Sequence, residues 1–153
     1  MPRLGAYRGK RDPAKTPEPF GGSTGGNATI FVVQKHAARR LHYDFRLERG
    51  GVLASWAVPK GIPLEPGAKA LAVHVEDHPL DYATFAGEIP VGQYGAGTVE
   101  IWDRGTYEPL AWSEERIEVV LRGERFRGRY LLIRFRRKGE REWLMSRQMD
   151  RPV

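Results

Sequence analysis

One strictly alternating stretch, residues 40–48, constrains the fold of this chain more than any other. Every second residue in it is apolar or aromatic: Leu41, Tyr43, Phe45 and Leu47. The residues between them are polar: His42, Asp44, Arg46 and Glu48. A period of two residues is typical of a β-strand whose two faces differ. The sequence therefore predicts a strand with one face toward a core and one face that carries chemistry.

Short strand-like runs, separated by turn signals, fill the rest of the chain. We expect further strands over residues 29–34, 52–58, 70–76, 82–86, 98–103, 106–108, 117–122, 128–136 and 143–148. We expect turns at residues 49–51, 104–105 and 137–140, and a long turn-rich connection at residues 87–97. Only residues 113–116 hint at a helix. This spacing predicts an all-β fold, either a barrel or a sandwich.

The first 27 residues differ from the rest in composition. They contain several prolines and the glycine-rich run at residues 21–26, so they have little to bury. We expect an N-terminal arm over residues 1–27 and one β-domain over residues 28–153. Composition alone predicts a disordered leader, although the charged residues of the arm become useful if it folds over a site.

The chain has no cysteine, a formal net charge of +6 and a pI of about 9.8. Disulfides and thiolate metal sites are therefore excluded, and any metal must use nitrogen and oxygen ligands. No apolar run is long enough to span a membrane, and the N-terminus lacks the apolar core of a signal peptide. We expect a cytoplasmic, nucleoid-associated protein without a membrane partner. The basic charge favours polyanions, nucleic acid first.

Two histidines and a carboxylate lie close together in the sequence: His36, His42 and Asp44. On one strand, His42 and Asp44 would point to the same side, close enough to share a cation. His36 precedes a break in the strand pattern. Its even separation from His42 would let it point to the same side as His42 and Asp44. Two imidazoles and one carboxylate leave open coordination positions on a divalent metal, as a catalytic centre requires.

Arg46 is the next residue on the same face. A guanidinium beside a cation site makes sense if an anion such as a phosphate or carboxylate bridges them. The structural alternative is an ion pair with Asp44 or Glu48. The sequence does not distinguish anion binding by Arg46 from such an ion pair.

A second chemical stretch covers residues 73–82. Strand geometry would put His74, Glu76 and His78 on one face. His78 could act as a general acid or stabilise developing charge, and Tyr82 could donate to an oxygen. The alternative is a capped turn with a satisfied histidine.

Two other stretches carry weaker signals. The glycine-rich residues 92–97 match neither a Walker loop nor a dinucleotide fingerprint, so we interpret them as a turn. The basic residues of the segment 122–141 alternate with aromatic ones, which suits a nucleic-acid surface or the solvated exterior of a barrel.

Several long motifs together resemble one family. They are residues 7–12 (YRGKRD), 16–19 (TPEP), 31–36 (FVVQKH), 41–48 (LHYDFRLE), 55–61 (SWAVPKG), 75–82 (VEDHPLDY) and 95–103 (GAGTVEIWD). They resemble the 3′-phosphoesterase domain of bacterial ATP-dependent DNA ligase D and its free-standing relatives, and we expect a free-standing member. The resemblance extends from the arm to Trp143 and Leu144.

The resemblance implies a small closed or nearly closed β-barrel of short antiparallel strands with little helix and an N-terminal arm packed near the active site. It implies a metal-dependent hydrolase that favours Mn²⁺, with Zn²⁺ or another divalent transition metal as alternatives. Such enzymes remove 3′-terminal ribonucleosides and 3′-phosphates at primer–template ends and leave a 3′-hydroxyl. The implied partners are DNA or DNA/RNA 3′ ends and the ligase and polymerase of end joining. We expect a monomer.

The resemblance also assigns roles to residues. It implies that the metal ligands are His36, His42 and Asp44. It implies that Arg46 and His78 grip the scissile phosphate. It places around them Arg11, Asp12, Glu18, Lys60, Glu76 and Tyr82. The chain departs from the family pattern at Pro13 and Ala70, and His74 has no place in that pattern.

Two other functions fit parts of the sequence. A non-haem iron oxygenase would use His42, Asp44 and His78 as ligands and Arg46 to bind an oxo-acid. A non-catalytic barrel would bind DNA ends or a repair partner, with the histidines serving the structure. The extent of the resemblance favours the phosphoesterase.

Overall fold

The computed structural model describes residues 4–11, 16, 18, 29–135 and 141–149. Its elements in chain order are α1 (Gly5–Gly9), β1 (Ile30–Ala37), β2 (Leu41–Arg49), β3 (Val52–Val58), β4 (Lys69–Pro79), a 3₁₀ helix (Leu80–Thr84), β5 (Gly87–Ile89), β6 (Gly97–Trp112), β7 (Arg116–Arg122), β8 (Arg127–Arg134) and β9 (Glu142–Arg147). The described part of the chain is therefore almost entirely β-structure, as the sequence predicts.

Eight of the strands form a closed antiparallel barrel. Around the ring the order is β1, β2, β3, β4, β9, β8, β7 and β6, and β1 pairs with β6 to close it. The short strand β5 lies outside the ring and pairs with the start of β6. Closure leaves the eight strands of the ring without a free edge. The prediction of a small closed barrel is confirmed.

The long strand β6 corrects the predicted turn at residues 104–105. This strand continues from Gly97 to Trp112, and the chain does not reverse direction at Gly105. Gly105 instead allows close contact with the neighbouring strand. A Cβ on Gly105 would lie 2.2 Å from the carbonyl oxygen of Arg122. Glycine is therefore needed there for the close approach of the neighbouring chain.

Two other local predictions were wrong. Residues 82–86 belong largely to the 3₁₀ helix, whose first residue follows Pro79 and which ends where the Phe85 amide donates to the Tyr82 carbonyl at 3.0 Å. Residues 113–116 form a turn in which the Ser113 hydroxyl accepts from the Arg116 amide at 3.1 Å. The connection at residues 87–97 is turn-rich as predicted, although its first three residues form β5.

The barrel wall is buried on both of its faces near the start of the chain. Inside the barrel, the core includes Phe45, Leu47, Trp56 and Leu132. Outside it, a second apolar cluster around Tyr7, Val32, Leu53, Tyr82 and Phe85 covers the wall. The polar face of β2 is consequently buried as well, whereas Leu41 on the predicted core face is 49% exposed at the strand end.

Part of the predicted arm lies against the barrel. The helix α1, which the sequence did not predict, contacts β4, and its Tyr7 is fully buried in the outer cluster. The predicted boundary at residue 27 lies outside the described residues, so the division into arm and domain stays a prediction. In the described part of the chain, no helix is long and apolar enough to cross a membrane.

Candidate active site

The predicted metal ligands come together on the outer face of the β1–β2 hairpin. His36 and His42 are direct cross-strand partners, and Asp44 pairs with Gln34 two residues further along. One ligand atom from each of His36, His42 and Asp44 can be chosen so that all three lie within 4.8 Å of one another. The break in the strand pattern between the histidines is the hairpin turn, so the turn brings them together.

Backbone carbonyls orient the two imidazole rings. His36 donates from Nε2 to the Gly95 carbonyl at 2.7 Å, and His42 donates from Nδ1 to the Arg40 carbonyl at 3.0 Å. The remaining nitrogens, Nδ1 of His36 and Nε2 of His42, each lie 3.4 Å from an Asp44 carboxylate oxygen. Such outer hydrogen bonds are typical of metal-binding histidines, because they select the tautomer and the ring orientation.

Gly95 has a specific role that the sequence did not reveal. Its φ is +75°, and a Cβ there would lie 3.3 Å from Cε1 of His36. The turn thus needs glycine both for its backbone conformation and for the approach of the imidazole. The interpretation of residues 92–97 as turn geometry agrees with the structure, and the turn also positions His36.

Neighbouring side chains keep the Asp44 carboxyl ionised. Burial opposes its ionisation, but the Arg46 guanidinium and hydrogen bonds from His36 and His42 lower its pKa far below the ordinary range. Burial also lowers the pKa of His42, but the contacts with Asp44 outweigh burial and raise it overall. Asp44 is therefore a full carboxylate at neutral pH, as a metal ligand must be.

Arg46 lies beside this group and is only 2% exposed. Its Nε donates to Gln34 Oε1 at 2.6 Å, its Nη2 lies 3.5 Å from Asp44 Oδ2, and its Cζ lies 4.8 Å from the centre of the Tyr82 ring. Its Nη1 is buried and has no hydrogen-bond partner among the described residues. The ion pair with Asp44 thus exists, yet no described residue competes with a ligand for Nη1.

Gln34 is a residue that the sequence analysis missed. It is fully buried, and its amide nitrogen donates to the carbonyls of Tyr82 at 2.8 Å and Phe85 at 3.0 Å. The same side chain therefore ties the 3₁₀ helix to β1 and orients Arg46. A polar residue at the end of a predicted buried strand was the only available signal.

His78 and Glu76 lie on β4, across the pocket from β2. His78 is buried, and its Nδ1 donates to the Glu76 carbonyl at 2.9 Å. Burial, together with the charges of Arg46 and Arg11, lowers the pKa of His78 well below its ordinary value. The imidazole is therefore neutral, with its lone pair on Nε2, which lies 3.4 Å from Arg11 Nη2.

Described residues of the arm complete the wall of the pocket. Arg11 binds Glu18 at 2.9 Å and Glu76 at 3.2 Å, and its guanidinium stacks on Tyr7 at 3.9 Å. The Tyr82 hydroxyl donates to Glu18 at 2.8 Å. Burial raises the pKa of Tyr82, so the phenol keeps its proton. The structure therefore brings Arg11, Glu18, Glu76 and Tyr82 together.

These side chains line one cavity of about 280 Å³. It contains three carboxylates, Asp44, Glu18 and Glu76, against the two guanidinium groups of Arg11 and Arg46. A divalent cation on the His36, His42 and Asp44 group would change the excess of negative charge into an excess of positive charge. The donor set fits such a cation, and the loaded pocket would then suit an anion.

Two predicted site residues are not placed in this cavity. Lys60 is exposed in the turn after β3 and is absent from the cavity lining. Asp12 lies outside the described residues, as does Pro13. Ala70, the other departure from the family pattern, packs against the barrel core.

The predicted common face of His74, Glu76 and His78 was wrong. The pairing of β3 with β4 shifts between Leu53 and Ser55, so the alternation along β4 is interrupted. Glu76 and His78 line the candidate active site, whereas His74 lies opposite Trp56 and lines a different cavity.

The basic segment near the C-terminus resembles a barrel exterior more than a stacking surface. Its aromatic residues Phe126 and Tyr130 are buried in the core. Arg122 pairs with Glu108 at 3.1 Å, and Arg129 pairs with Glu118 at 3.0 Å. Phe126 and Tyr130 are therefore unavailable for stacking, whereas Phe135 is only half-buried.

A family profile matches the part of the chain that contains most of the cavity lining. The family profile described as the DNA ligase D 3′-phosphoesterase domain matches residues 34–134, which include most of the cavity lining. The chain belongs to this family. The matched residues contain the three metal-ligand candidates, Arg46 and His78, whereas the arm precedes them.

Relatives of the family extend the similarity to nearly the whole chain. A Mycobacterium bovis protein named multifunctional non-homologous end joining protein LigD is 52% identical over 99% of this chain. Proteins of the same name from Pseudomonas aeruginosa and Mycolicibacterium smegmatis are 50% and 47% identical over 96% and 97% of it. The chain spans only about a fifth of the length of these relatives, namely 21%, 19% and 21%.

Proposed function

We propose that this chain is a metal-dependent phosphoesterase that heals DNA 3′ ends. It would remove a 3′-terminal ribonucleoside and then the remaining 3′-phosphate at a primer–template end, leaving a 3′-hydroxyl for repair synthesis or ligation. The observation that carries the proposal is the open Nη1 of Arg46, buried beside three converging metal ligands. Membership of the 3′-phosphoesterase family supports the reaction class.

The metal would be held by His36, His42 and Asp44. We propose Mn²⁺ as the native ion, with Zn²⁺ as the alternative that the same nitrogen and oxygen donors accept. When bound, the ion supplies Lewis-acid stabilisation of the phosphoryl group.

The side chains around the metal group would bind and orient the phosphate. Arg46 would donate from Nη1 to a phosphate oxygen, while Gln34 holds its Nε and Tyr82 supports its flat face. This geometry offers a fixed N–H donor where negative charge develops, which is the arrangement that stabilises a transition state.

His78 would help to hold the scissile phosphate. Because the neutral ring donates from Nδ1 to the Glu76 carbonyl, its lone pair faces the side on which Arg11 lies. Its other nitrogen, Nε2, accepts from Arg11 Nη2, so His78 and Arg11 would contact the scissile phosphate together. Through their ion pair, Arg11 and Glu18 would position the His78 imidazole. This gives the arm a role in the site.

The substrate and partners follow from the same proposal. The basic net charge of +6 favours DNA or DNA/RNA ends. The relatives are named as end-joining proteins, so we propose that the chain acts beside a DNA ligase and a polymerase. The iron oxygenase alternative requires His78 as a ligand, but the group able to share a metal among the described residues contains His36 instead.

The proposal is tested with a 5′-labelled primer–template whose primer ends in one ribonucleotide. With Mn²⁺, we expect two products in sequence, a shortened primer with a 3′-phosphate and then the same primer with a 3′-hydroxyl. A primer that ends in a deoxyribonucleotide 3′-hydroxyl is the control and should stay intact. Tight DNA binding without any product, unchanged by a chelator, would favour the non-catalytic barrel instead.

A further inference from the structure

A second cavity of about 720 Å³ lies at the end of the barrel where the β2–β3 and β6–β7 hairpins turn. It shares no lining residue with the candidate active site. The strand β4 separates the two, because Glu76 and His78 face the active site whereas His74 and Asp77 face the second cavity. Its volume is within the range of about 300–1,000 Å³ that is typical of small-molecule sites.

Aromatic rings form much of its lining. Trp56 and Trp143 are 1% and 5% exposed, with ring centroids 5.8 Å apart at an interplanar angle of 78°. The His74 ring lies 5.2 Å from that of Trp56, and burial, followed by Arg134 and Arg141, lowers the pKa of His74. The imidazole is therefore neutral. Trp112 lines the same cavity and is only half-buried, so its ring can receive a flat ligand ring.

The lining also carries hydrogen-bond donors without acceptors. The indole Nε1 atoms of Trp56 and Trp143 and the Nε of Arg134 are buried, and none has a hydrogen-bond partner among the described residues. Each of these groups can only donate. Buried donors are normally paired, so this cavity suits an occupant that brings several acceptors.

The charges at the cavity limit the choice of occupant. The positive charges of Arg49 and Arg134 are balanced by the negative charges of Asp77 and Glu114. The Arg49 guanidinium lies 4.3 Å from the Trp112 ring centre. A strongly anionic group therefore has no net attraction to this cavity. A flat, neutral ring with acceptors along its edge fits best.

We propose that this cavity binds a nucleobase, which would stack on Trp112 and accept hydrogen bonds from the indole and guanidinium N–H groups. Ring nitrogens and exocyclic carbonyl oxygens of a base are acceptors of this kind. The base could belong to a free nucleotide or to an unpaired position of a DNA strand. The proposal is independent of the phosphoesterase function, because it uses no residue of that site.

The experiment follows the four tryptophan indole signals of the full ¹⁵N-labelled chain in EDTA, so that binding is measured without metal-dependent turnover. The probes are dAMP, dTMP, an oligonucleotide of eight thymidines and ribose 5-phosphate. We expect the bases to shift the signals of Trp56, Trp112 and Trp143. Trp102 should not shift, because it packs beside Tyr43 and Arg125, outside this cavity.

A matched pair of variants tests stacking on Trp112. Trp112→Leu should weaken nucleotide binding roughly tenfold, whereas Trp102→Leu should leave it unchanged. Shifts with the mononucleotides alone would assign a free nucleotide as the source, and shifts with the oligonucleotide would assign a strand. Absence of shifts with every base would overturn the proposal, as would equal shifts with ribose 5-phosphate. The wild-type titration decides the matter even if a variant fails to fold.

Discussion

His36 and His42 face each other across the β1–β2 hairpin as direct strand partners, with ring centroids 4.7 Å apart. Their distance is therefore a property of the strand register. A slip of one residue would turn His42 to the core face and would break the ligand group. The same register brings Gln34 opposite Asp44, so one hairpin sets both the candidate metal ligands and the support of Arg46.

Replacing His42 by alanine should abolish tight metal binding. We expect the affinity for Mn²⁺ or Zn²⁺ to fall at least about 100-fold, since losing even an outer-shell partner of a ligand costs about 10- to 100-fold. Isothermal titration of the metal-free protein measures this. His74→Ala is the matched control, because His74 lies on another wall and should leave the affinity unchanged. Equal losses in the two variants would contradict the assignment.

Replacing Arg46 by lysine keeps the charge and removes the planar group. A lysine cannot bond Gln34 and a phosphate oxygen at the same time, so we expect kcat/KM for a 3′-phosphate end to fall about 100-fold. Steady-state kinetics on the primer–template measure the change. Arg129→Lys, which alters an arginine paired with Glu118 outside the cavity lining, should retain full activity. Full activity of Arg46→Lys would contradict a phosphate contact.

The contact of the arm with β4 should depend on pH through Glu76. Burial raises the pKa of this carboxyl, but its own amide, Lys10 and Arg11 outweigh burial and lower the pKa below its ordinary value of 4.5. Between the folded pKa and pH 4.5, the unfolded state therefore binds more protons than the folded state. The stabilisation by Glu76 is complete above pH 4.5 and is lost as the pH falls toward the folded pKa.

The Glu76→Gln variant reveals this contribution. The difference in melting temperature between wild type and Glu76→Gln should be largest near about pH 6 and should shrink toward about pH 3. The exposed Glu124→Gln variant should show no such trend. If the difference in melting temperature between wild type and Glu76→Gln stayed constant across this range, Glu76 would be excluded as the titrating group.

Asp103 should contribute strongly to stability. It is 6% exposed, and its two oxygens accept from the backbone amides of Glu124, Arg125 and Phe126 at 2.9–3.0 Å. Because alanine would leave these amides without an acceptor, Asp103→Ala should lower the free energy of unfolding by about 3 kcal/mol. Urea unfolding measures it, with the exposed Glu100→Ala as the control on the same strand. A loss below about 1 kcal/mol would contradict this role.

The sequence predicted the strands of the barrel best where one face is apolar. The alternation at β2 predicted both its core face and the ligand pair, because strand geometry fixes which side chains share a face. It could not predict that the polar face would also be covered. That depends on Tyr7 and Tyr82, which pack on the outside of the wall from distant parts of the chain.

Where the predictions failed, the cause was a contact between distant parts of the chain. The shifted pairing of β3 and β4 moved His74 away from the active site, and no local pattern encodes such an irregularity. Gly105 was interpreted as a turn because glycine punctuates many turns, whereas here it permits the close approach of Arg122. Gln34 escaped notice because its importance arises from Arg46 and the 3₁₀ helix, which the sequence analysis had not placed beside it.

The most direct test of the central claim is phosphate release from a primer–template with a 3′-phosphate. The purified chain is freed of metal, and the released phosphate is measured as Mn²⁺ is added, with His42→Ala and His74→Ala in parallel. We expect no release without the ion, release by the wild type and His74→Ala with it, and none by His42→Ala. An intact 3′-phosphate in the wild-type reaction, or equal release by His42→Ala, would contradict the account.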